Sequence, residues 1–134
     1  SVFIAKPEIK NDSWNGPVNE ENVCAFLSGT NLVEDLSKNS VLSFKTYDFN
    51  TGYRNIGASC IITKGKAVSG QATEYNAEIQ LHEKYVSGLE KDVCGIIKNS
   101  RKNNDLDFGL NIKLIKFFFK YINTLKYGNC AGFI

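Results

Sequence analysis

The sequence contains no methionine, and only two prolines, one histidine and one tryptophan occur among its 134 residues. Its apolar runs are short, as in Phe117-Phe118-Phe119, which lies between two lysines. A membrane-spanning helix needs about 20 apolar residues, so we expect no membrane span. With 43% hydrophobic and 22% charged residues, the composition is that of a globular protein and excludes disordered and collagen-like chains.

The missing methionine extends to position 1, which indicates that Ser1 follows a processing site or a boundary. Any secretory signal would have preceded it. The length suits one domain, because smaller pieces would be too short to build a core. We therefore predict a single domain over residues 1–134, with an extended N-terminal arm at 1–18 and an α+β core at 19–134.

Neither sign of charge dominates, because 16 Lys and Arg are set against 14 Asp and Glu, for a formal net charge of +2. Such a balance does not favour nucleic acid or an anionic membrane as a partner. Another protein is then the least constrained class of partner.

Four cysteines, Cys24, Cys60, Cys94 and Cys130, are spread almost evenly along the chain without any Cys-x-x-Cys pair. Structural zinc sites usually draw their ligands from such close pairs, so the spacing argues against a metal. An even number of cysteines in a small, processed chain favours two disulfides and a periplasmic or extracellular location. Sequential pairing is preferred among the three connectivities, and four reduced, buried thiols are the alternative.

A single imidazole, His82, limits the catalytic chemistry of the chain. Ser-His and Cys-His mechanisms need a histidine as base, and His82 falls on the polar side of a predicted strand, beside Glu83. The sequence has no phosphate-loop, dinucleotide-binding, zinc-protease or EF-hand motif, so no cofactor is predicted. It therefore favours a protein that is not an enzyme and has no catalytic residues.

Two carboxylate pairs keep a glycosidase-like hydrolase open as an alternative. Glu74 and Glu78 share one face of a predicted strand, and Asp105 and Asp107 lie together near the last predicted helix. Both pairs have simpler explanations, the first as solvated strand residues and the second as helix caps. Glu78, Asp107 and His82 are the best candidates for this hydrolase.

Aromatic and basic residues gather at the first predicted hairpin turn, namely Tyr47, Phe49, Tyr53 and Arg54. Such residues are typical of protein interfaces, and aromatics interleaved with cations also bind sugars or single-stranded nucleic acid. Packing is the simpler explanation, because aromatic residues favour strands and alternation turns half of them to the core. Together with Trp14, which lies among turn residues, they form the candidate partner-binding site.

Hydrophobic periodicity predicts two short helices, or one kinked helix, within residues 20–37, with Gly29 as the interruption. Alternation of apolar and polar residues then predicts strands at 41–47, 53–63 and 73–82. Short turns between them indicate an antiparallel meander of three to four strands, with one buried and one solvated face.

Two further helices are predicted to cover one face of this sheet, at 87–99 and 107–127. Ser87 and Glu90 resemble a capping box at the first helix, and Gly128 is expected to end the second. Phe117-Phe118-Phe119 spans too wide an arc for one buried stripe. The helix at 107–127 is therefore either central or part of an interface, including that of a homodimer.

These observations support the hypothesis of a small exported domain that binds another protein. An inhibitor or immunity protein that neutralises an enzyme or toxin in the periplasm or outside the cell would fit. A small secreted hydrolase or toxin effector that uses carboxylates is the alternative. The third possibility is a carrier of a small apolar ligand held between the sheet and the helices.

Overall fold

Five strands form one mixed sheet in the computed structural model, which describes residues 8–50, 52–111, 113 and 126–131, with side chains up to Gly128. The strands are β1 (Leu42–Asn50), β2 (Tyr53–Thr63), β3 (Lys66–Ser69), β4 (Ala77–His82) and β5 (Leu106–Leu110). Their spatial order is β3-β2-β1-β4-β5. β1 and β4 run parallel, and the other neighbouring pairs are antiparallel. The predicted α+β class is confirmed.

The predicted meander of three to four strands is wrong beyond its first hairpin. β1 and β2 pair as expected, but β3 was missed because the sequence analysis read residues 64–66 as a turn. β4 does not continue from β3. It crosses to the far side of β1, where Leu42 lies opposite Ala77 and Tyr47 opposite His82. Alternation determines which side chains are buried, but it does not determine which strands are neighbours.

Within the described ranges the helices are α1 (Val23–Ser28), α2 (Asn31–Glu34), α3 (Val93–Lys102) and α4 (Lys126–Ala131), with a 3₁₀ turn at Glu83–Tyr85. Two short helices in the 20–37 segment were one of the two expected arrangements. Gly29 separates them, and α1 contacts β3 and β2 at that side of the sheet.

Helix α3 begins at Val93, later than the predicted start at residue 87. The carboxylate of Asp92 accepts the N–H of Gly95 at 2.9 Å and so caps the helix there. The predicted capping box is wrong, because Glu90 instead accepts the N–H groups of Gly88 and Val18, both at 3.2 Å. Gly88 has a φ of 103°, a conformation that interrupts a helix before Asp92.

The predicted helix at 107–127 is wrong at its start. Residues 106–110 form β5, in which Leu106 lies opposite Leu81 and both are buried. Asp107 is thus a strand residue and not a cap, and Gly128 lies inside α4 rather than at its end. The central part of the predicted helix, with Phe117-Phe118-Phe119, lies outside the described residues, so the homodimer through this helix stays a prediction.

One hydrophobic core lies between the sheet and the helices, and the segment before α1 contributes to it. Ile9 and Val18, from the N-terminal segment, are both buried in this core. Trp14 packs edge-on against Phe26, with ring centroids 5.6 Å apart. The segment contains turns, as predicted, but its apolar side chains anchor it to the rest of the chain.

A disulfide joins helix α1 to strand β2. Cys24 and Cys60 are bonded with their Cα atoms 5.6 Å apart, and both residues are buried. This bridge is the first of the two expected from sequential pairing. The side chain of Cys130 lies outside the described part of the chain, so the Cys94–Cys130 bridge stays a prediction.

Asp35 ties α2 to α4 through two contacts. The hydroxyl of Tyr127 donates a hydrogen bond to its carboxylate, and Lys126 Nζ lies 3.0 Å from the same oxygen. These contacts hold the pKa of Asp35 below its usual value, and the Tyr127 hydrogen bond has the largest effect. A lowered pKa contributes stability at neutral pH, and this contribution is lost as the pH falls through the folded-state pKa.

We therefore expect Asp35→Asn to destabilise the protein at pH 7 by about 1 kcal/mol, since the carboxylate is partly exposed and its charge is screened. The difference from wild type should shrink as the pH falls below about 4. Urea unfolding of both proteins between pH 2.5 and 7 measures it. Asp12→Asn, at an exposed carboxylate near Lys10, is the control and should have little effect. A difference that is constant with pH would contradict the assignment.

Candidate functional site

The sheet has one face that packs against the core and a second, opposite face, which we call the open face. Phe44, Cys60 and Leu81 point to the core and pack with helix residues such as Val23 and Val93. Residues that alternate with these lie on the other side. The register places on the open face Ser43, Lys45, Tyr47, Phe49, Arg54, Ile56, Ser59, Ile61, Val68, Glu78, Gln80, His82, Asp107 and Gly109.

A β-bulge in β2 decides which hairpin residues reach this face. Lys45 lies opposite Ser59 but Tyr47 lies opposite Ile56, so β2 has two residues, 57 and 58, where β1 has only Thr46. The hydroxyl of Thr46 fills the gap by accepting the N–H of Ala58 at 2.7 Å. Without the extra residue, Arg54 and Ile56 would point to the core side. The isolated Gly57 within the strand is the sequence signal that could have indicated the bulge.

Arg54 is the centre of an aromatic cluster on the open face. Its guanidinium carbon lies 4.0 Å from the ring centroid of Tyr47 and 5.7 Å from that of Phe49. Tyr47 also meets Phe49 and His82 edge-on, with centroids 5.5 and 5.3 Å apart. Tyr47 is fully buried, and this burial raises the pKa of its hydroxyl. The structure thus brings together three of the five predicted partner-binding residues, and His82 joins them.

The other two predicted residues lie elsewhere. Tyr53 is at the end of the same hairpin, opposite Asn50, where it is 75% exposed and alternates to the other side of the strand from Arg54. Trp14 belongs to the core and donates its indole N–H to the carbonyl of Gly16 at 3.1 Å. Trp14 packs against Phe26 and is therefore not part of the hairpin cluster. The local sequence around Trp14 does not indicate this contact, because Phe26 lies 12 residues further along the chain.

A polar network extends from this cluster across the sheet. Arg54 contacts Asp107 at 2.6 Å and Gln80 at 2.8 Å. Gln80 in turn donates to Glu78 at 2.8 Å, and Glu78 also accepts from the hydroxyl of Ser43 at 2.9 Å and lies 3.4 Å from Lys45. The cationic and anionic side chains of this network are therefore arranged in pairs.

These contacts assign structural roles to the carboxylates expected for a hydrolase. Burial alone would raise the pKa of Glu78, but the hydrogen bonds from Gln80 and Ser43 and the charge of Lys45 bring it below its usual value. Glu74 lies before β4 and does not share a strand face with Glu78, contrary to the prediction. A general acid requires a raised pKa, and Glu78 shows the opposite.

The remaining hydrolase candidates are also occupied. His82 Nδ1 accepts the N–H of Lys84 at 3.1 Å and begins the 3₁₀ turn. Asp105 accepts the hydroxyl of Tyr85 at 2.8 Å and lies 3.2 Å from Lys84 Nζ, contacts that lower its pKa. The predicted roles of Asp105 and Asp107 as helix caps are wrong, because Asp107 lies in β5 and Asp105 directly precedes it.

Two shallow clefts are found among the described residues. One, of about 230 Å³, lies at the β5 side of the open face and is lined by residues that include Arg54, Tyr75, Gln80, Asp107 and Asn111. The other, of about 270 Å³, lies between residues 8–10 and the start of α3. The described residues contain no cluster of metal-ligating side chains and no helix that could span a membrane.

No family model and no curated protein matches the chain. Among solved structures, it is similar to the sterol carrier protein domain 2 of Helicoverpa armigera, with 17% identity over 78% of this chain and 76% of that one, at a TM-score of 0.44. It is also similar to the ubiquinone synthesis protein UbiJ-SCP2, with 13% identity over 71% and 73%, at a TM-score of 0.35.

The structure also reveals a carboxyl pair that the sequence analysis missed. Glu20 lies over Gly57, where an added Cβ would be 2.2 Å from its carboxylate. Burial raises the pKa of Glu20, and so do the hydrogen bond and negative charge of Glu83. These residues are far apart in sequence and carry no common motif. A side chain at position 57 would collide with the carboxylate of Glu20, which explains why the bulge contains a glycine.

Proposed function

We propose that this protein is a non-enzymatic domain that binds another protein through the open face of its β1–β2 hairpin. The observation that carries the proposal is the exposure of Phe49, at 59%, and Ile56, at 42%, beside an ordered Arg54. Exposed apolar and aromatic side chains that surround a fixed arginine are typical of interface hot spots. Two such side chains on one strand pair form a patch that a partner can bury.

The charges of the open face favour a protein over other partners. Lys45 is paired with Glu78, and Arg54 with Asp107, so the cations already have anionic neighbours. A site for nucleic acid or an anionic membrane needs unpaired positive charge. An apolar protein surface with a few polar groups at its rim complements this face better.

We base the proposed class of partner on the compartment that the disulfide favours. The Cys24–Cys60 disulfide supports an oxidising environment, periplasmic or extracellular. A small domain in such a compartment, in which the described carboxylates Glu78, Asp105 and Asp107 are held in ion pairs, fits an inhibitor or immunity protein. Such a protein would neutralise an enzyme or toxin by a stable complex that buries about 1,600 Å².

A variant pair tests the proposal. Phe49→Ser combined with Ile56→Ser removes the exposed apolar surface and should weaken binding of the partner by about 100-fold, as expected for two hot-spot residues. Val68→Ser is the control, since Val68 lies on the same face with a similar exposure, 46%, but belongs to β3. It should leave the affinity within about threefold of wild type.

The partner is sought in the native periplasmic or extracellular fraction with a photo-cross-linker at position 49, and at Lys98 as the exposed control position on α3. Support requires a stoichiometric complex that cross-links from position 49 and is lost in the double variant. Absence of a complex at micromolar concentration, or a complex that the double variant retains, would overturn the proposal.

A carrier of an apolar ligand is the second candidate. It is favoured by the exposure of apolar side chains on the core-facing side of β5. Phe108 lies opposite Ile79 on that side, yet it is 38% exposed, and Leu110 beside it is only partly buried. Ligand pockets are lined mainly by apolar side chains, and Phe108 and Leu110 would contribute such side chains to a pocket under the sheet. Native mass spectrometry of the purified protein distinguishes the candidates, because a carrier retains a lipid of defined mass.

A further inference from the structure

The carboxyl group of Glu20 lies where three distant segments of the chain meet. Glu20 belongs to the turn before α1, and its side chain extends over Gly57 in the bulge of β2. Both of its carboxyl oxygens occupy the space that a Cβ at position 57 would need. Glu83, from the 3₁₀ turn after β4, forms a hydrogen bond with this carboxyl. The contact therefore joins the turn, the bulge and the end of β4.

Thr46 connects the carboxyl to the backbone of the bulge. Its hydroxyl accepts the N–H of Ala58 at 2.7 Å, and the same side chain is fully buried and hydrogen-bonded to Glu20. A hydroxyl that accepts one hydrogen bond still has its own hydrogen to donate, so Thr46 donates to the carboxyl. A chain of hydrogen bonds thus runs from the bulge through Thr46 to Glu20 and on to Glu83.

This chain requires a proton on the carboxyl pair. Two ionised carboxylates offer only acceptors, so a hydrogen bond between Glu20 and Glu83 needs a hydrogen on one of them. Burial, followed by the hydrogen bond and charge of Glu83, raises the pKa of Glu20, and the Thr46 hydrogen bond opposes this. Oε1 of Glu20 is also buried, without a hydrogen-bond partner among the described residues. A neutral carbonyl oxygen tolerates such a position at lower cost than a charged one.

The charges around Glu20 disfavour its ionised form. The titratable groups that face it are Glu83 from the 3₁₀ turn and Asp48 from β1, and both are acidic. Lys84, which follows Glu83 in the chain, lies 3.2 Å from Asp105 and is thus paired elsewhere. Ionisation of Glu20 would therefore place a third negative charge beside two others.

We infer that a proton held between Glu20 and Glu83 fastens the turn before α1 to the β2 bulge, and that the arrangement of the hairpin depends on pH through this contact. The bulge turns Arg54 and Ile56 to the open face. When the proton is lost, the hydrogen bond between the two carboxyls is lost, and repulsion drives Glu20 away from Gly57. The contact lies within one chain, so the inference holds whether or not the open face binds a partner.

The sign of this pH dependence is opposite to that of Asp35. A group whose pKa is raised in the folded state stabilises the fold below its unfolded-state pKa, and the stabilisation is lost as the pH rises through the folded-state pKa. For Glu20 the loss begins above the ordinary value of 4.5. Carboxyls with a lowered pKa, such as Asp35 and Glu78, are already ionised there and do not contribute.

A titration of the side-chain carboxyl carbons by NMR tests the proton directly, on the wild-type protein. The midpoint of Glu20 should lie above 4.5. Glu83→Gln should lower this midpoint, because it removes the neighbouring charge and its amide can donate to the ionised carboxylate. Glu21→Gln, at the exposed neighbouring residue, is the matched control and should leave the midpoint unchanged.

The hairpin provides the second readout in the same titration. The methyl signals of Ile56 should shift with the midpoint of Glu20, whereas those of Val68, on the same face in β3, should not. Glu20→Gln has the shape of the neutral carboxyl but does not titrate, so it should abolish the shift of Ile56. Glu21→Gln should retain it.

Urea unfolding between about pH 5 and pH 8 measures the effect on stability. The unfolding constant of the wild type should rise with pH relative to that of Glu20→Gln, and circular dichroism verifies that the variant is folded. A wild-type Glu20 midpoint at or below 4.5 overturns the inference. A raised midpoint that the Ile56 signals do not follow overturns it as well, because the proton would then have no link to the hairpin.

Discussion

Removing the Cys24–Cys60 disulfide is expected to lower the free energy of unfolding by about 3–4 kcal/mol. The bridge closes a loop with a sequence separation of 36, and the chain-entropy model assigns this cost to a loop of that length. A loss of this size is comparable with a large part of a small domain's total stability. The double variant Cys24→Ala and Cys60→Ala should therefore unfold at much lower urea concentration than the wild type.

Testing this expectation requires a count of the disulfides and a measurement of the free energy of unfolding. Intact mass with and without reduction determines how many bridges the protein contains, about 2 Da for each. Urea unfolding followed by tryptophan fluorescence then gives the stability of each form. Because both cysteines are buried, alanine also leaves a small cavity, so a loss below about 1 kcal/mol would contradict the entropic role of the bridge.

Tyr47→Ala is expected to cost about 3–5 kcal/mol, the usual loss when a fully buried aromatic residue is truncated. Tyr47 is central to the open face, since its ring supports Arg54 at 4.0 Å and meets Phe49 and His82. Its removal should therefore release the arginine as well. Chemical denaturation of the variant measures the loss of stability.

Tyr47→Phe separates the ring from the hydroxyl. The hydroxyl oxygen is buried and has no hydrogen-bond partner among the described residues. Loss of a buried hydroxyl without a partner costs little and can stabilise a protein, whereas loss of a bonded one costs about 1 kcal/mol. We expect Tyr47→Phe to be at least as stable as wild type. A loss above about 1 kcal/mol would show that the hydroxyl is bonded in solution.

The two variants also bear on the proposed function. If the partner recognises Arg54 and Phe49 in the arrangement that the Tyr47 ring supports, Tyr47→Phe should bind as wild type does. Tyr47→Ala should bind weakly even at temperatures where it is folded. This separates a role in positioning the patch from a role in stability alone.

Local patterns in the sequence were sufficient for the features that depend on nearby residues. Alternation predicted the β1–β2 hairpin, and the short spacing between Tyr47 and Arg54 placed them on one ribbon. Periodicity interrupted by Gly29 predicted the two short helices. In each case the interacting residues are close in sequence, so propensity and alternation contain the necessary information.

The wrong predictions concern residues whose contact partners are distant in sequence. Residues 107–110 were predicted to begin a helix. Residues 106–110 instead form β5, because β4 offers an edge for pairing and Leu106 packs in the core opposite Leu81. Trp14 was grouped with the hairpin aromatics, although Phe26 holds it in the core. Tertiary packing outweighs local propensity at such positions.

The sequence by itself determined the α+β class, the hairpin with its aromatic and basic residues, and the cysteines available for bridging. Only the tertiary structure decided that β4 inserts in parallel beside β1, that a bulge at Gly57 turns Arg54 to the open face, and that Asp107 from a distant strand pairs with it. The physical reason is that strand neighbours are selected by the burial and hydrogen bonding of the whole sheet, which local periodicity does not encode.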